Sequence, residues 1–179
     1  MKDIFADMLL IDGYNIINAW PELIALKENS LEHARDKLTE IMTGYGAFKK
    51  YNVILVFDAH GVVGTDSCYR INDSTEVVYT KEGETADSYI EKMVYYLLRP
   101  DVRSGRVYVV TSDWAEQLVI LGAGAYRISA RELLQDVYKV NKLIAEGFSE
   151  SVLTYRRHEL QNRLNSDVVR RLDEMRRGG

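Results

Sequence analysis

Short apolar runs alternate along the chain with longer stretches in which apolar positions recur every three or four residues, so strands and helices are predicted in turn. Residues 8–11 are apolar and stop at Asp12-Gly13; residues 53–57 are β-branched and apolar and stop at Asp58. Residues 76–80, 106–110 and 126–128 are the other strand candidates. Asn29 and Glu32 have the spacing of a capping box, which predicts a helix from there to about Lys50. A second helix is predicted over residues 85–98, stopped at Arg99-Pro100. A third covers residues 114–121 and closes at Gly122 and Gly124. Ser129 and Glu132 repeat the capping-box pattern ahead of a helix reaching about Ala145. Residues 61–72 are polar and contain glycine, and read as a loop. The strand runs are continuously apolar, as expected for strands covered on both faces. The fold class that follows is α/β, a three-layer α/β/α sandwich around a central, mainly parallel sheet.

Composition narrows the setting. The chain has 179 residues, 46% hydrophobic and 28% charged, which suits one soluble globular domain with a full core. A single cysteine, Cys68, excludes an internal disulfide framework and a multi-cysteine zinc site, and a reducing cytoplasmic compartment is expected. No apolar run approaches the roughly 18 residues of a membrane span, and the first ten residues lack a signal-peptide pattern. Net charge is −4, but it is uneven: the segment 152–179 carries +3 and the remainder −7. The positive end contains Arg156, Arg157, Arg163, Arg170, Arg171, Arg176 and Arg177. Leu160, Leu164, Val168, Leu172 and Met175 recur there at helical spacing, so a solvated amphipathic helix and a polyanion-binding tail are both compatible with it. The expected organisation is a domain over residues 1–150 and a basic helical extension over 151–179.

The acids carry the chemistry. Three apolar strands run into aspartates: Asp12, Asp58 and, after Thr111-Ser112, Asp113. In a parallel sheet all carboxyl ends share one edge, where ligands bind. Glu84 and Asp87 flank the start of the 85–98 helix. A lone aspartate after a strand is commonly a helix cap; several converging on one edge repel one another unless protons or a cation intervene. Oxygen ligands without cysteine or histidine suit Mg²⁺ or Mn²⁺, and such a site suits metal-assisted phosphodiester hydrolysis. Asn15, Thr111, Ser112 and His60 are candidate substrate or supporting groups. Tyr14 and Trp114 adjoin the acids and could stack on a base, although Trp114 reads rather as a core residue, while Arg70 and Lys81 flank the 61–72 loop and could touch phosphate.

Four motifs in order resemble those of NYN domains, a branch of the PIN-like nucleases: Ile11-Asp12-Gly13-Tyr14-Asn15, Phe57-Asp58-Ala59-His60, Glu84-Thr85-Ala86-Asp87, and Thr111-Ser112-Asp113-Trp114 through Gln117. The segment from Gly124 to Leu133 and the basic ending from Arg163 resemble the YacP-like bacterial subfamily. The resemblance covers nearly all of the chain after Met8; the five residues at the start are additional. It implies a PIN-like endoribonuclease with Mg²⁺ or Mn²⁺ held by Asp12, Asp87 and Asp113, and with Asp58 close by. It also implies cleavage of mRNA during translation in the ribosomal A site, with the ribosome as partner and the arginine-rich tail as an rRNA contact. No organic cofactor and no membrane partner are expected, and a monomer is the expected state.

Two other functions fit parts of the pattern. A receiver-like phosphoacceptor domain would use Asp12, Asp58 and Thr111, but no lysine ends the last strand, and Asp87 and Asp113 would have no role. A ribosome- or RNA-binding module without catalysis would use only the tail. An aspartyl-nucleophile phosphatase needs a second aspartate two residues after the first, where Tyr14 stands.

Overall fold

The computed structural model describes residues 6–59, 67–102, 105–112 and 122–147. Strand β1 (Met8–Asp12) is interior to a six-stranded sheet. On one side it pairs in parallel with β2 (Asn52–Phe57). Beyond β2 come β3 (Ser67–Arg70) and β4 (Thr75–Tyr79), with β4 parallel to β2 and β3 antiparallel at the edge. On the other side β1 pairs in parallel with β5 (Val107–Val110), and β6 (Tyr126–Ile128) follows in parallel. The spatial order is β3-β4-β2-β1-β5-β6.

Five helices are described: α1 (Gly13–Ala19), α2 (Pro21–Asn29), α3 (Leu31–Lys49), α4 (Ala86–Leu97) and α5 (Ala130–Ala145). On one face of the sheet, Leu10, Ile54, Val56, Val78, Val107 and Val109 pack with Ala86, Ile90 and Val94 of α4. Pleating turns Leu9, Ile11, Val53, Leu55 and Phe57 to the opposite face. All five are buried there, on the side where α1 and α3 contact the sheet. Helices thus cover both faces, and every residue of β2 is buried. The chain divides into two compact units, Met1–Val137 and Tyr138–Gly179; of the second, only residues 138–147 are described.

Local chemistry sets the helix ends. Ser129 and Glu132 form a reciprocal capping box at α5: the Glu132 N–H donates to Ser129 Oγ at 3.2 Å, and the Ser129 N–H donates to Glu132 Oε2 at 2.7 Å. The Trp20 indole N–H donates to the Ala130 carbonyl at 2.9 Å, and the Tyr45 hydroxyl to Asp136 at 2.6 Å, fixing the start of α5 beside α1 and α3. The Thr85 hydroxyl caps α4 by accepting the Ser88 N–H at 3.2 Å.

Three details depart from the sequence pattern. The cap of α3 is Ser30, whose hydroxyl accepts the His33 N–H at 3.2 Å; Asn29 ends the preceding helix. Residues 13–29 form two short helices broken at Trp20-Pro21, each too short for its apolar spacing to declare itself. Part of the expected 61–72 loop is β3, an exposed edge strand that lacks an apolar run and is defined by its pairing to β4. The expected 114–121 helix and the basic extension lie outside the described residues.

Gly13, the first residue of α1 after β1, is held to glycine by close packing. A β-carbon there would strike the Phe57 ring, so the residue after Asp12 has room only for hydrogen. Gly13→Ala should cost roughly 1–3 kcal/mol through overpacking. Gly44→Ala, in open space within α3, should add about 0.5–1 kcal/mol through helix propensity. Denaturant melts of the two variants should shift in opposite directions; shifts of the same sign would contradict this packing.

Candidate functional site

The carboxyl ends of the parallel strands meet along one edge. Asp12 is level with Val56, and Ile11 with Val110, so Asp12, Asp58 and Thr111 leave adjacent strand ends together. From β1 the chain goes to β2 on one side and later returns to β5 on the other, a change of direction that places the crevice of an open α/β sheet between β1 and β5.

Asp12 ends β1 and caps α1, its Oδ1 accepting the Asn15 N–H at 3.1 Å. Its carboxyl is pushed up to about 6. Burial is the largest cause, the Asn15 and Tyr14 amides pull the other way, and the charges of Asp87 and Asp58 push it further up. Asp12, Asp58 and Asp87 therefore share one electrostatic neighbourhood.

Asp58 reaches across to α4. Its Oδ1 accepts the backbone N–H of Ala86, the first residue of that helix. The bond ties the end of β2 to the turn that carries Asp87. Thr80 reinforces the same corner, donating its hydroxyl to the Glu84 carbonyl at 2.7 Å while accepting the Ala59 N–H at 3.2 Å.

Asn15 and Ser112 link the other side of the crevice. The Ser112 hydroxyl donates to Asn15 Oδ1 at 3.1 Å, joining α1 to the segment that follows β5. Thr111 is buried, and its N–H donates to the Ile128 carbonyl at 3.3 Å. The Glu84 carboxylate is engaged elsewhere, paired with Lys92 at 2.7 Å, and Arg70 pairs with Glu76 at 3.3 Å. His60, Asp113, Trp114 and the seven arginines of residues 156–177 lie outside the described residues.

One group beside the site had no signal in the sequence. Arg35, on α3, donates to the Tyr14 hydroxyl at 3.1 Å and lies 5.7 Å from the centroid of the Tyr79 ring. Its position in a helix reads as ordinary surface, and only the fold brings it to Tyr14.

The donor set suits a hard divalent cation. It is all oxygen, and the upward push on Asp12, which comes first from burial and then from the charges of Asp87 and Asp58, is one that a cation would oppose. Among the described residues no three acidic, histidine or cysteine groups already form a metal-holding cluster. Asp113, the third expected ligand, is not among those residues.

The raised Asp12 carboxyl has a definite consequence for stability. Below its unfolded value, near 3.8, the group is protonated in both states and carries no penalty; as pH rises to about 6 the folded state alone holds the proton, and folding weakens. Without divalent ions, the protein should lose up to about 3 kcal/mol across this window. Asp12→Asn should remove that slope and be the more stable protein at pH 7. Urea melts at a series of pH values check it; identical slopes for the two proteins would contradict the placement of Asp12.

The YacP-like NYN domain model matches residues 9–177. A curated Bacillus subtilis (strain 168) protein, the uncharacterized protein YacP, is 41% identical over 172 residues, covering 96% of this chain and 98% of its own. The crystal structure of Rae1 (YacP) from Bacillus subtilis superposes with a TM-score of 0.66 at 41% identity, covering 96% of this chain and 95% of that one. A point mutant of the same protein gives 0.67, covering 88% and 99%. With its mostly parallel sheet, its acidic strand ends and these matches, the chain belongs to the YacP-like NYN domain family, a nuclease-type family.

Proposed function

We propose that this protein is a metal-dependent endoribonuclease that hydrolyses phosphodiester bonds of mRNA, in a ribosome- and translation-dependent manner in the A site. The observation that carries the hydrolytic part is the convergence of Asp12, Asp58 and Asp87 at one sheet edge. The choice of mRNA and of the ribosome rests on the resemblance of the motifs to the YacP-like subfamily. Action in the cytoplasm goes with that choice.

In this reading Asp12, Asp87 and Asp113 would hold Mg²⁺ or Mn²⁺. Such an ion, when bound, makes nearby water more acidic and offsets charge developing on phosphate oxygens. The chain's own groups do the rest. Asp58 fixes the first turn of α4 and so sets where Asp87 stands. Asn15, bonded to Ser112, ties α1 to the segment that follows β5. Water adds to phosphorus in line, the bond from phosphorus to the 3′ oxygen breaks, and that oxygen takes up a proton, leaving a 5′-phosphate and a 3′-hydroxyl. The tail arginines supply phosphate contacts on ribosomal RNA, with affinity that falls as salt rises.

A cleavage assay on translating ribosomes and on naked RNA, with Mg²⁺ and with a chelator, tests the reading. Wild type should cut with Mg²⁺ and stop with the chelator. Asp12→Asn should lose on the order of a hundredfold in rate or more, about 2.7 kcal/mol of barrier, while still binding. Unchanged cleavage by Asp12→Asn, or products ending in a 2′,3′-cyclic phosphate, would refute the mechanism. Binding without cleavage by wild type would favour the non-catalytic module.

A further inference from the structure

A row of aromatic rings leads from the acidic site to the edge of the sheet. Tyr14, two residues after Asp12, meets the Phe57 ring edge-on at 5.2 Å between centroids. Phe57 stacks on Tyr79 at 5.6 Å, opposite it in register across β2 and β4. Tyr79 meets Tyr69 of β3 at 6.2 Å. The row therefore crosses from β2 to β4 directly and on to β3 diagonally, since Tyr69 lies opposite Val77. It passes over the buried Phe57 and ends on Tyr69, which is 54% exposed. A solvent-facing tyrosine on an edge strand contributes little to the core, but it offers a flat face on which a base can stack.

Arg35 sits alongside this row. A guanidinium carries five N–H donors, and here the Tyr14 hydroxyl takes one while the Tyr79 ring packs nearby. Glu32, three residues earlier on α3, adds attraction at longer range. Arg35 forms no ion pair among the described residues, whereas Arg70 and Arg99 are each paired with a carboxylate. A half-buried guanidinium held in place by two tyrosines, with donors to spare, is suited to a phosphate oxygen. Its cost of ordering is already met by the fold.

We propose that Tyr14, Arg35, Tyr79 and Tyr69 form the track that holds single-stranded RNA beside the acidic site, with Arg35 on a backbone phosphate and Tyr69 stacked on a base. The identity of the strand as RNA rests on the endoribonuclease reading; the cation and the rings do not. The track gives the site a direction, because the strand leaves the carboxylates toward β3 and not toward β6. It also selects unpaired substrate, since a base held within a duplex has no free face for Tyr69.

Fluorescence anisotropy of a short labelled oligouridylate tests the track, in the Asp12→Asn background so that nothing is cut. Arg35→Gln should weaken binding about tenfold and flatten the logarithmic salt slope by about 0.7. Tyr69→Ala should also weaken binding about tenfold, with the salt slope unchanged. Arg99→Gln, which removes the same charge from the Asp101 pair, should bind as the parent does. A duplex of the same sequence should compete poorly. Thermal melts confirm folding, and Tyr69→Ala, changed at an exposed edge position, remains informative if Arg35→Gln is unstable. The proposal is overturned if the oligonucleotide does not bind measurably, if Arg35→Gln and Tyr69→Ala bind like the parent, or if duplex competes equally. Cleavage by the Asp12 protein without these binding losses would overturn the track alone. The binding losses without any cleavage would overturn the nuclease reading alone.

Discussion

Like-charge repulsion in a partly buried corner is the constraint that the architecture has to satisfy. Asp12, Asp58 and Asp87 are brought into one neighbourhood, and burial makes their shared charge more costly than it would be in water. Backbone amides hold the acids in place. Asp12 accepts the N–H of Asn15 in α1, Asp58 accepts the N–H of Ala86 in α4, and Asp87 lies in the first turn of that same helix. The orphan donors of a helix start thus do two jobs, terminating helices and steadying carboxylates. The compensation is incomplete, since Asp12 still sits at about 6. A bound cation would oppose that upward push.

The rest of the fold serves this corner. Parallel pairing through β1 brings strand ends that are 46 residues apart in sequence, Asp12 and Asp58, to neighbouring positions. The absence of a side chain at Gly13 lets the Phe57 ring close over the turn. Phe57 in turn lies between Tyr14 and Tyr79, so the packing that forms the acidic corner also builds the aromatic row beside it. Core, acids and row are one piece of chemistry in three layers, and a change at Gly13 would be felt in all of them.

Much of this was legible in the sequence because the signals were local. Continuous apolar runs mark buried parallel strands, and the aspartates after the first two, Asp12 and Asp58, fall at one edge of the sheet. The Ser129 and Glu132 capping box was readable because its two partners are three residues apart. What escaped was whatever depends on distant partners. β3 is a strand only because β4 lies beside it. The short helices α1 and α2 hold too few turns to show a period. Arg35 gains meaning only when α3 lies near α1 and β4. Glu84 looked like a member of the acidic group, yet Lys92 eight residues along the chain engages its carboxylate. Spacing alone could not separate it from Asp87, three residues away on the turn that Asp58 fixes.

The proposed function requires these carboxylates to take up a divalent cation through Asp12. The direct measurement is a thermal-shift titration with Mg²⁺ and Mn²⁺ at neutral pH, comparing wild type with Asp12→Asn. Wild type should show a saturable rise in melting temperature, with little or none for Asp12→Asn. Equal rises in both proteins, or no rise in wild type, would contradict it.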